Sequence, residues 1–219
     1  MGVRQEFEGE LDQLKGLVIA MATKAEKSLV LAMQTLTEQN TDLAANVIDN
    51  DHAINHLDEE ISETAIWLIA KQQPVATDLR KIISTIRIAN DLERIGDQAV
   101  NIAVSAMQIG THPLYKPLED IPLMSEKVHN MIIGSLEAYK TDDTVLAKKV
   151  ADDDNEIDEM YEALIQELLI TIAKSPELTE QITQLAFVCR YLERIADHVT
   201  NISEHILFTV KGKHVDLNH

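Results

Sequence analysis

Oxygen-bearing side chains recur at every fourth position in one stretch near the middle of the chain. Glu93, Asp97 and Asn101 stand at i, i+4 and i+8, so on a helix they form one slowly drifting row. One hundred residues further on the same spacing is repeated by Glu193, Asp197 and Asn201. Carboxylate and amide oxygens are the ligands that hard metal ions prefer, so each row could contribute to a metal site.

A second group of oxygen ligands precedes each row. These residues are Asp51, Asn55 and Asp58 in the first half and Asp154 and Asp158 in the second. Asp51 lies 23 residues before Pro74, and Asp97 lies 21 residues after Ala76. Antiparallel helices joined by a short turn bring equidistant residues level, so Asp51 is expected opposite Asp97. Counting in the second half predicts the same pairing there.

Two interpretations of these facing rows remain open. Carboxylates that face one another repel unless a cation neutralises them. Fe, Mn, Mg or Ca would suit the oxygen ligands, and Zn is possible with His198 or His52 nearby. The alternative is a solvated acidic face in which Arg94 and Arg194 form surface ion pairs. The repetition of the paired rows favours metal.

The predicted metal ligands therefore form one set in each half of the chain. They are Asp51, Asn55, Asp58, Glu93, Asp97 and Asn101, and then Asp154, Asp158, Glu193, Asp197 and Asn201. The neighbouring apolar residues centre about 120° around the helix from the rows, at roughly 100° per residue. We therefore expect the rows on the flank or outside of a helical bundle.

The elements that must position these residues are six helices. The chain has only seven Gly and five Pro among 219 residues, which favours long helices. Breakers and caps predict helices over about 4–37, 41–73, 77–110, 124–140, 142–175 and 179–211. Three of the five prolines fall within 110–122, which is the best candidate for a linker.

The two halves of the chain are related to each other. Seven of eleven positions are identical between the segments 92–102 and 192–202, at an offset of 100. Segments 47–55 and 150–158 are similar at an offset of 103. The sequence thus predicts an all-α protein of two homologous three-helix bundles, over 1–110 and 123–219, with a linker over 111–122.

Composition excludes several classes of function. The net charge of −18 repels nucleic-acid phosphates and anionic lipid. No segment has the length of apolar sequence that crosses a membrane, and the start lacks a secretory signal. Cys189 is the only cysteine and lies in an apolar run, which indicates a buried thiol. These features predict a cytoplasmic protein without membrane insertion or nucleic-acid binding.

The remaining motifs give little support to catalysis. No glycine-rich phosphate loop or Ser-His-Asp signature is present. Glu126 and His129 form one Glu-x-x-His pair, but di-iron bundles need two, so we interpret it as an exposed pair. Trp67 is expected to be a core or inter-helix anchor, and the scattered methionines to fill the core. We predict that the chain is not an enzyme.

Several long segments resemble the signature of the PhoU family. They are Gln72-Gln-Pro-Val-Ala-x-Asp-Leu-Arg80, Asp91-Leu-Glu-Arg-Ile-Gly-Asp97, Asn101-Ile-Ala and, near the start, Phe7-Glu-x-Glu-Leu11. The resemblance covers nearly the whole chain and implies two three-helix bundles side by side. It also implies surface metal clusters on Glu/Asp-x-x-x-Asp motifs, here Glu93/Asp97, Glu193/Asp197 and Asp154/Asp158. The helix 2 counterpart has Asn55 as its second residue, which lowers the charge of the first site.

The resemblance implies a function that the spacing alone does not. PhoU proteins are adaptors between the ATPase subunit of the phosphate ABC transporter and a sensor histidine kinase. They restrain phosphate uptake and the phosphate-starvation (Pho) regulon, and their usual form is a homodimer. Two alternatives stay open at this point, a metal-dependent phosphohydrolase and a metal-storage protein. A substrate pocket would favour the first, but only Arg94 and Arg194 lie near the rows.

Overall fold

The computed structural model describes residues 2–213 and 217 of the chain. Within this part every regular element is helical, as the sequence predicts. The helices are α1 (Gly2–Thr37), α2 (Leu43–Gln72), α3 (Thr77–Ile109), α4 (Asp120–Thr141), α5 (Thr144–Asp152), α6 (Asp154–Lys174) and α7 (Thr179–Lys211). A short 3₁₀ turn at Pro176–Leu178 joins α6 to α7.

The described residues form six long helices as predicted, except that the fifth is divided into two segments, α5 and α6. The predicted fifth helix is interrupted at Asp153, in the middle of three consecutive aspartates. Aspartate is a poor interior helix former because its side chain competes for backbone hydrogen bonds. The helix begins near Asp142–Asp143 as predicted, and Asp143 caps α5 by accepting hydrogen bonds from the amides of Val145 and Leu146. The result is a break just before Asp154.

Two other predicted helix starts need correction. The fourth helix begins at Asp120 rather than near Met124, since Pro122 falls in the first turn, where its missing amide hydrogen costs nothing. Asp42 precedes α2 but makes no capping hydrogen bond, because its backbone is already helical. Local sequence thus places these helices correctly and misjudges only their first turns.

The helices form two bundles that pack side by side. α1, α2 and α3 make the first bundle, and α4, α5, α6 and α7 make the second. α3 packs along α7 and α1 packs along α4, which joins the bundles. Arg80 at the start of α3 lies beside Gly212 at the end of α7, so α3 and α7 run antiparallel. This arrangement relates the two halves by an approximate two-fold axis.

The core repeats between the halves. Pairs of positions 103 residues apart are buried on α1 and on α4: Val18 and Ile121, Met21 and Met124, Ala25 and Val128, Leu29 and Ile132. Cys189 is fully buried, as predicted, and burial raises the pKa of its thiol to about 12. The expectation for Trp67 is wrong, since 52% of its surface is exposed, and Met107 is also exposed rather than part of the core.

No helix within the described residues is long and apolar enough to span a membrane.

Candidate metal sites

The first candidate site lies between α2 and α3. Gly96 allows the two helices to approach, because a Cβ at this position would lie 3.0 Å from Ile54 Cδ1 and 3.3 Å from Asp51 Oδ1. Asp51 is close enough to Asp97 for the two negative charges to interact, and Asp58 interacts in the same way with Glu93. The pairing that the sequence predicts across this pair of helices is therefore present.

The carboxylates of the first site are hard to ionise together. Burial and the charge of Asp97 raise the pKa of Asp51. Burial and the charge of Asp97 likewise raise the pKa of Glu93, although Arg94 opposes the shift. Burial, and next the charge of Glu59, raise the pKa of Asp58, again against Arg94. A cation in this seam would relieve the repulsion.

Arg94 already supplies one positive charge to the first site. Its Nη1 lies 3.0 Å from Asp97 Oδ2, and its Nε lies 3.3 Å from Glu93 Oε2. The side chains of Arg94 and Asp97 are 49% and 37% exposed, so these ion pairs are partly solvated. The interpretation as an arginine-neutralised face therefore has structural support in the first half.

The second candidate site lies between α6 and α7 and is more deeply buried. Asp154 is only 8% exposed. Burial, and next the charges of Asp197 and Asp158, raise the pKa of Asp154 to about 7. Burial and Asp197 also raise the pKa of Asp158 and of Glu193. Four carboxylates from two helices thus share one seam, as the sequence predicts.

The cation of the second site differs from the one that the sequence suggested. Arg190, rather than Arg194, pairs with Glu193, from one turn earlier on α7. Arg190 Nη1 contacts Glu193 Oε1 and leaves Glu193 Oε2 buried without a hydrogen bond. Among the four carboxylates of the second site, Glu193 is therefore the one that forms an ion pair with an arginine.

Several buried side-chain oxygens in the acidic rows accept no hydrogen bond, and such oxygens are expected where a cation binds. Among the described residues, the buried oxygens that accept no hydrogen bond include Asp51 Oδ1, Asn55 Oδ1, Glu93 Oε2, Asp154 Oδ1 and Glu193 Oε2. Such atoms cost free energy unless a partner is supplied. They are hard oxygen ligands on facing helices in both halves, which fits Mg, Mn, Fe or Zn. As they stand, no three or more His, Cys, Asp or Glu side chains in the described part of the chain are arranged to hold a metal ion.

The three asparagines of the predicted set do not behave alike. Asn55 Nδ2 donates to Asp51 Oδ2 at 3.3 Å and stays in the first site. Asn101 is half-buried one turn beyond Asp97 on α3. Asn201 Nδ2 instead donates to Asp91 Oδ1 at 3.2 Å, on the other bundle. Its Nδ2 atom is therefore engaged at the seam between the bundles.

A polar cluster at the seam between the bundles was missed by the sequence reasoning. Asp91 on α3 is 8% exposed and receives three side chains of α7. His198 Nδ1 lies 3.0 Å from Asp91 Oδ1, and His205 Nε2 lies 3.3 Å from Asp91 Oδ2; Asn201 completes the cluster. A possible signal was Asp91 itself, a carboxylate directly before the apolar Leu92.

The Glu-x-x-His pair is also resolved differently. Glu126 is exposed, whereas His129 Nε2 lies 2.9 Å from Glu26 Oε1 on α1. His129 therefore links α4 of the second bundle to α1 of the first through Glu26. It does not form a metal motif with Glu126.

The chain is a duplicated helical-bundle protein. Each of its two bundles has an acidic seam between its last two long helices, α2 and α3 in the first bundle and α6 and α7 in the second. The family model described as "PhoU domain" matches residues 18–106 and again residues 121–206. The chain belongs to the PhoU family.

Relatives match the chain over nearly its full length. A protein of Clostridium acetobutylicum, described as a phosphate-specific transport system accessory protein PhoU homolog, is 38% identical; the match covers 98% of this chain and 99% of that one. A Pseudomonas putida protein with the same description is 34% identical, over 97% of this chain and 84% of its own length.

Solved structures share the fold. The crystal structure of PhoU from Pseudomonas aeruginosa superposes with a TM-score of 0.92 at 31% identity, covering 94% of this chain and all of that one. The crystal structure of the phosphate transport system regulatory protein PhoU from Streptococcus pneumoniae gives 0.89 at 30% identity, over 96% of this chain and 99% of that one.

Proposed function

We propose that this chain is an accessory protein of a phosphate-specific transport system and a negative regulator of phosphate uptake and of the Pho regulon. The support is the similarity, over almost the whole chain, to a relative described as a phosphate-specific transport system accessory protein and to a solved structure described as a phosphate transport system regulatory protein. Both bundles take part in the match, so the proposal covers the complete duplicated unit rather than one half.

The chain acts, in this proposal, as a cytoplasmic, non-enzymatic adaptor that works as a homodimer. It links the ATPase subunit of the phosphate ABC transporter to a sensor histidine kinase. Two joined bundles of long helices offer broad, rigid faces for docking, which supports binding without large rearrangement. A net charge of −18 makes the chain a poor trap for free phosphate, which favours sensing through its partners.

The adaptor binds metal ions at the two acidic seams, and one observation carries this part of the proposal. Buried carboxylate oxygens without hydrogen bonds occur at equivalent places in both halves, Asp51 Oδ1 and Asp154 Oδ1, which lie 103 residues apart. A bound cation would neutralise the facing carboxylates and stiffen the helix pair of each bundle. The remaining carboxylate ligands would be Asp58, Glu93 and Asp97 in the first site and Asp158, Glu193 and Asp197 in the second.

Metal binding needs side-chain rotation, and in the first site it also needs Arg94 to leave its ion pairs. The second site has four carboxylates and a buried aspartate, so we expect it to bind more tightly. Asn55 in place of a carboxylate lowers the charge of the first site, which points the same way.

The test replaces Glu93, Asp97, Glu193 and Asp197 with Ala together. We expect elemental analysis to show loss of bound metal, and binding of the purified transporter ATPase to weaken at least tenfold. A matched variant removes four exposed acidic side chains elsewhere: Asp12, Glu38, Glu126 and Glu180 to Ala. It should keep both properties.

Two results would contradict parts of the proposal. Unchanged ATPase binding after complete loss of metal would separate the metal from the adaptor role. Phosphate release from a phosphomonoester by the metal-loaded chain, abolished in the row variant but kept in the matched variant, would replace the adaptor with a phosphohydrolase. Metal uptake without any ATPase binding would indicate storage.

A further inference from the structure

Two exposed apolar pairs occupy equivalent positions on the outer helices of the two bundles. Ile66 and Trp67 near the end of α2 are 63% and 52% exposed. Leu169 and Ile170 near the end of α6 are 61% and 54% exposed. The positions differ by 103, the same offset that relates the rest of α2 to α6. We call them the α2 patch (Ile66, Trp67) and the α6 patch (Leu169, Ile170).

Repetition distinguishes these patches from single exposed apolar residues. Val145 is the most exposed large apolar side chain, but its equivalent 103 residues earlier is Asp42. Met107 on α3 is exposed, whereas Leu207, its equivalent on α7 at the offset of 100 that relates these two helices, is buried. One further exposed pair repeats, Val30 and Ile133, at only 37% and 43%. Single exposed apolar residues are ordinary, while a repeated cluster containing tryptophan indicates an interface.

The surroundings of both patches are acidic. Exposed glutamates precede each patch: Glu63 and Glu59 lie one and two turns before the α2 patch, and Glu162 and Glu159 lie two and three turns before the α6 patch. Lys71 Nζ lies 4.4 Å from the centre of the Trp67 ring, but it also pairs with Glu6 and Glu10. Lys71, beside the α2 patch, is thus already neutralised, and its contact shows that the ring can accept a positive charge, while its equivalent Lys174 is exposed after the α6 patch.

Charge decides which occupant fits. Two copies of this chain would bring acidic helices together at these patches, and each carries a net charge of −18. A partner segment with an apolar side chain flanked by Lys or Arg satisfies both the apolar pair and the glutamates. The chemistry therefore favours a basic protein surface over self-association.

The position of the patches decides the number of copies. Each patch lies near the start of the following helix, α3 or α7, and these two helices run antiparallel. The patches consequently lie toward opposite ends of the molecule. One compact partner surface does not reach both, so each patch takes its own copy.

We propose that the α2 patch and the α6 patch are two equivalent docking points for a basic, apolar-tipped segment of one partner, so that one chain binds two copies. The inference rests on the proposed function, which supplies the partner as the ATPase subunit of the phosphate transporter. It adds the surface, its chemistry and the stoichiometry.

The test uses the complete chain and the purified ATPase subunit. One variant carries Ile66→Ser and Trp67→Ser, a second carries Leu169→Ser and Ile170→Ser, and a third combines all four. The matched control carries Val145→Ser and Met107→Ser. All of these side chains are exposed, so folding is retained, and circular dichroism verifies it.

Calorimetric titration and sedimentation should give two ATPase copies per unsubstituted chain. Each two-residue variant should bind one copy, the four-residue variant should weaken binding at least tenfold with no defined stoichiometry, and the control should bind two. Binding should weaken steeply as salt rises, because the contact is charge-assisted.

The failures are distinguishable. If the unsubstituted chain does not bind the ATPase, the proposed function falls and the docking inference falls with it. If it binds and the patch variants match the control, the inference alone is wrong. Loss of all binding from only one two-residue variant would contradict the equivalence of the patches. Conversion of the chain's own dimer to monomer by the patch variants, with ATPase binding unchanged, would assign the patches to self-association.

Discussion

Glu26 Oε1 lies 2.9 Å from His129 Nε2, and these two residues occupy equivalent positions in the two halves of the chain. They are 103 residues apart, the offset that also relates the buried positions of α1 to those of α4. The approximate two-fold axis therefore passes between them. A position that was once identical in both halves now carries two complementary side chains, which couples the bundles where they meet.

Gly96 is predicted to control the spacing of α2 and α3. Gly96→Val places a side chain where even a Cβ would lie 3.0 Å from Ile54 Cδ1, so either Ile54 must shift within the core or the helices must separate beside Asp51. We expect a loss of about 1–3 kcal/mol in the free energy of unfolding, measured with denaturant. Gly16→Val is the matched control, because a Cβ there meets nothing within 4 Å. Equal effects of both substitutions would show that helix propensity alone is responsible.

Asp154 is predicted to make the metal-free protein less stable at alkaline pH. Its pKa is raised to about 7 by burial and neighbouring carboxylates, whereas an unfolded aspartate has the ordinary value of 3.8. Ionisation is therefore harder in the folded state, and stability falls as pH rises from about 4 through 7. Chelator-treated protein should lose roughly 2–3 kcal/mol at pH 8 relative to pH 5 from this group.

Asp154→Asn should remove most of that pH dependence and stabilise the metal-free chain at pH 8. Denaturant unfolding at several pH values, with chelator present, measures both effects. Asp153→Asn is the matched control, since Asp153 is exposed and adjacent. A stability that falls between pH 5 and pH 8 to the same extent in both variants would contradict the assignment to Asp154.

The helices and the facing rows could be predicted because both follow from local periodicity and from counting across short turns. Glu93 and Asp97 are at i and i+4, so any helix places them on the same face. The short turn at Pro74 then aligns this part of α3 with Asp51 on α2. The interruption at Asp153 could not be predicted with the same rules, since neither Gly nor Pro is present there.

The contacts between the bundles were not accessible from the sequence. Periodicity tells which face of a helix is apolar but not which helix will cover that face. For that reason the hydrogen bond from Asn201 Nδ2 to Asp91 on the other bundle was not predicted. Trp67 was misplaced for a related reason, because it lies at the edge of the apolar stripe of α2, where the exposed face begins.

Arg94 is predicted to compete with metal in the first site. Arg94→Ala removes the cation that pairs with Glu93 and Asp97, so metal should bind the first site several-fold more tightly. Calorimetric titration with Mn²⁺ or Zn²⁺ measures the change. Arg87→Ala, which removes an exposed arginine two turns earlier on α3, should leave the affinity unchanged. Weaker binding in the Arg94 variant would show that the arginine supports the site instead.

Asp91 is predicted to hold the two bundles together. Burial alone would raise its pKa, but hydrogen bonds from His198 and His205 outweigh that effect, so the pKa of Asp91 is lowered. The carboxylate is therefore charged in the folded protein, and its contribution is present above the unfolded pKa and lost as pH falls through the lower folded value. Asp91→Ala leaves His198 and His205 without this acceptor at the seam between α3 and α7.

We expect Asp91→Ala to lower the free energy of unfolding by about 2–4 kcal/mol at pH 7, because a buried, hydrogen-bonded charge is removed from its partners. Hydrogen exchange should rise along α3 and α7, where the bundles meet, more than along α2 and α6. Asp12→Ala, at an exposed position of α1, is the control for the loss of one negative charge. If the Asp91 variant matches this control in both measurements, the cluster does not couple the bundles, and packing of the apolar side chains of α3 and α7 must hold them together instead.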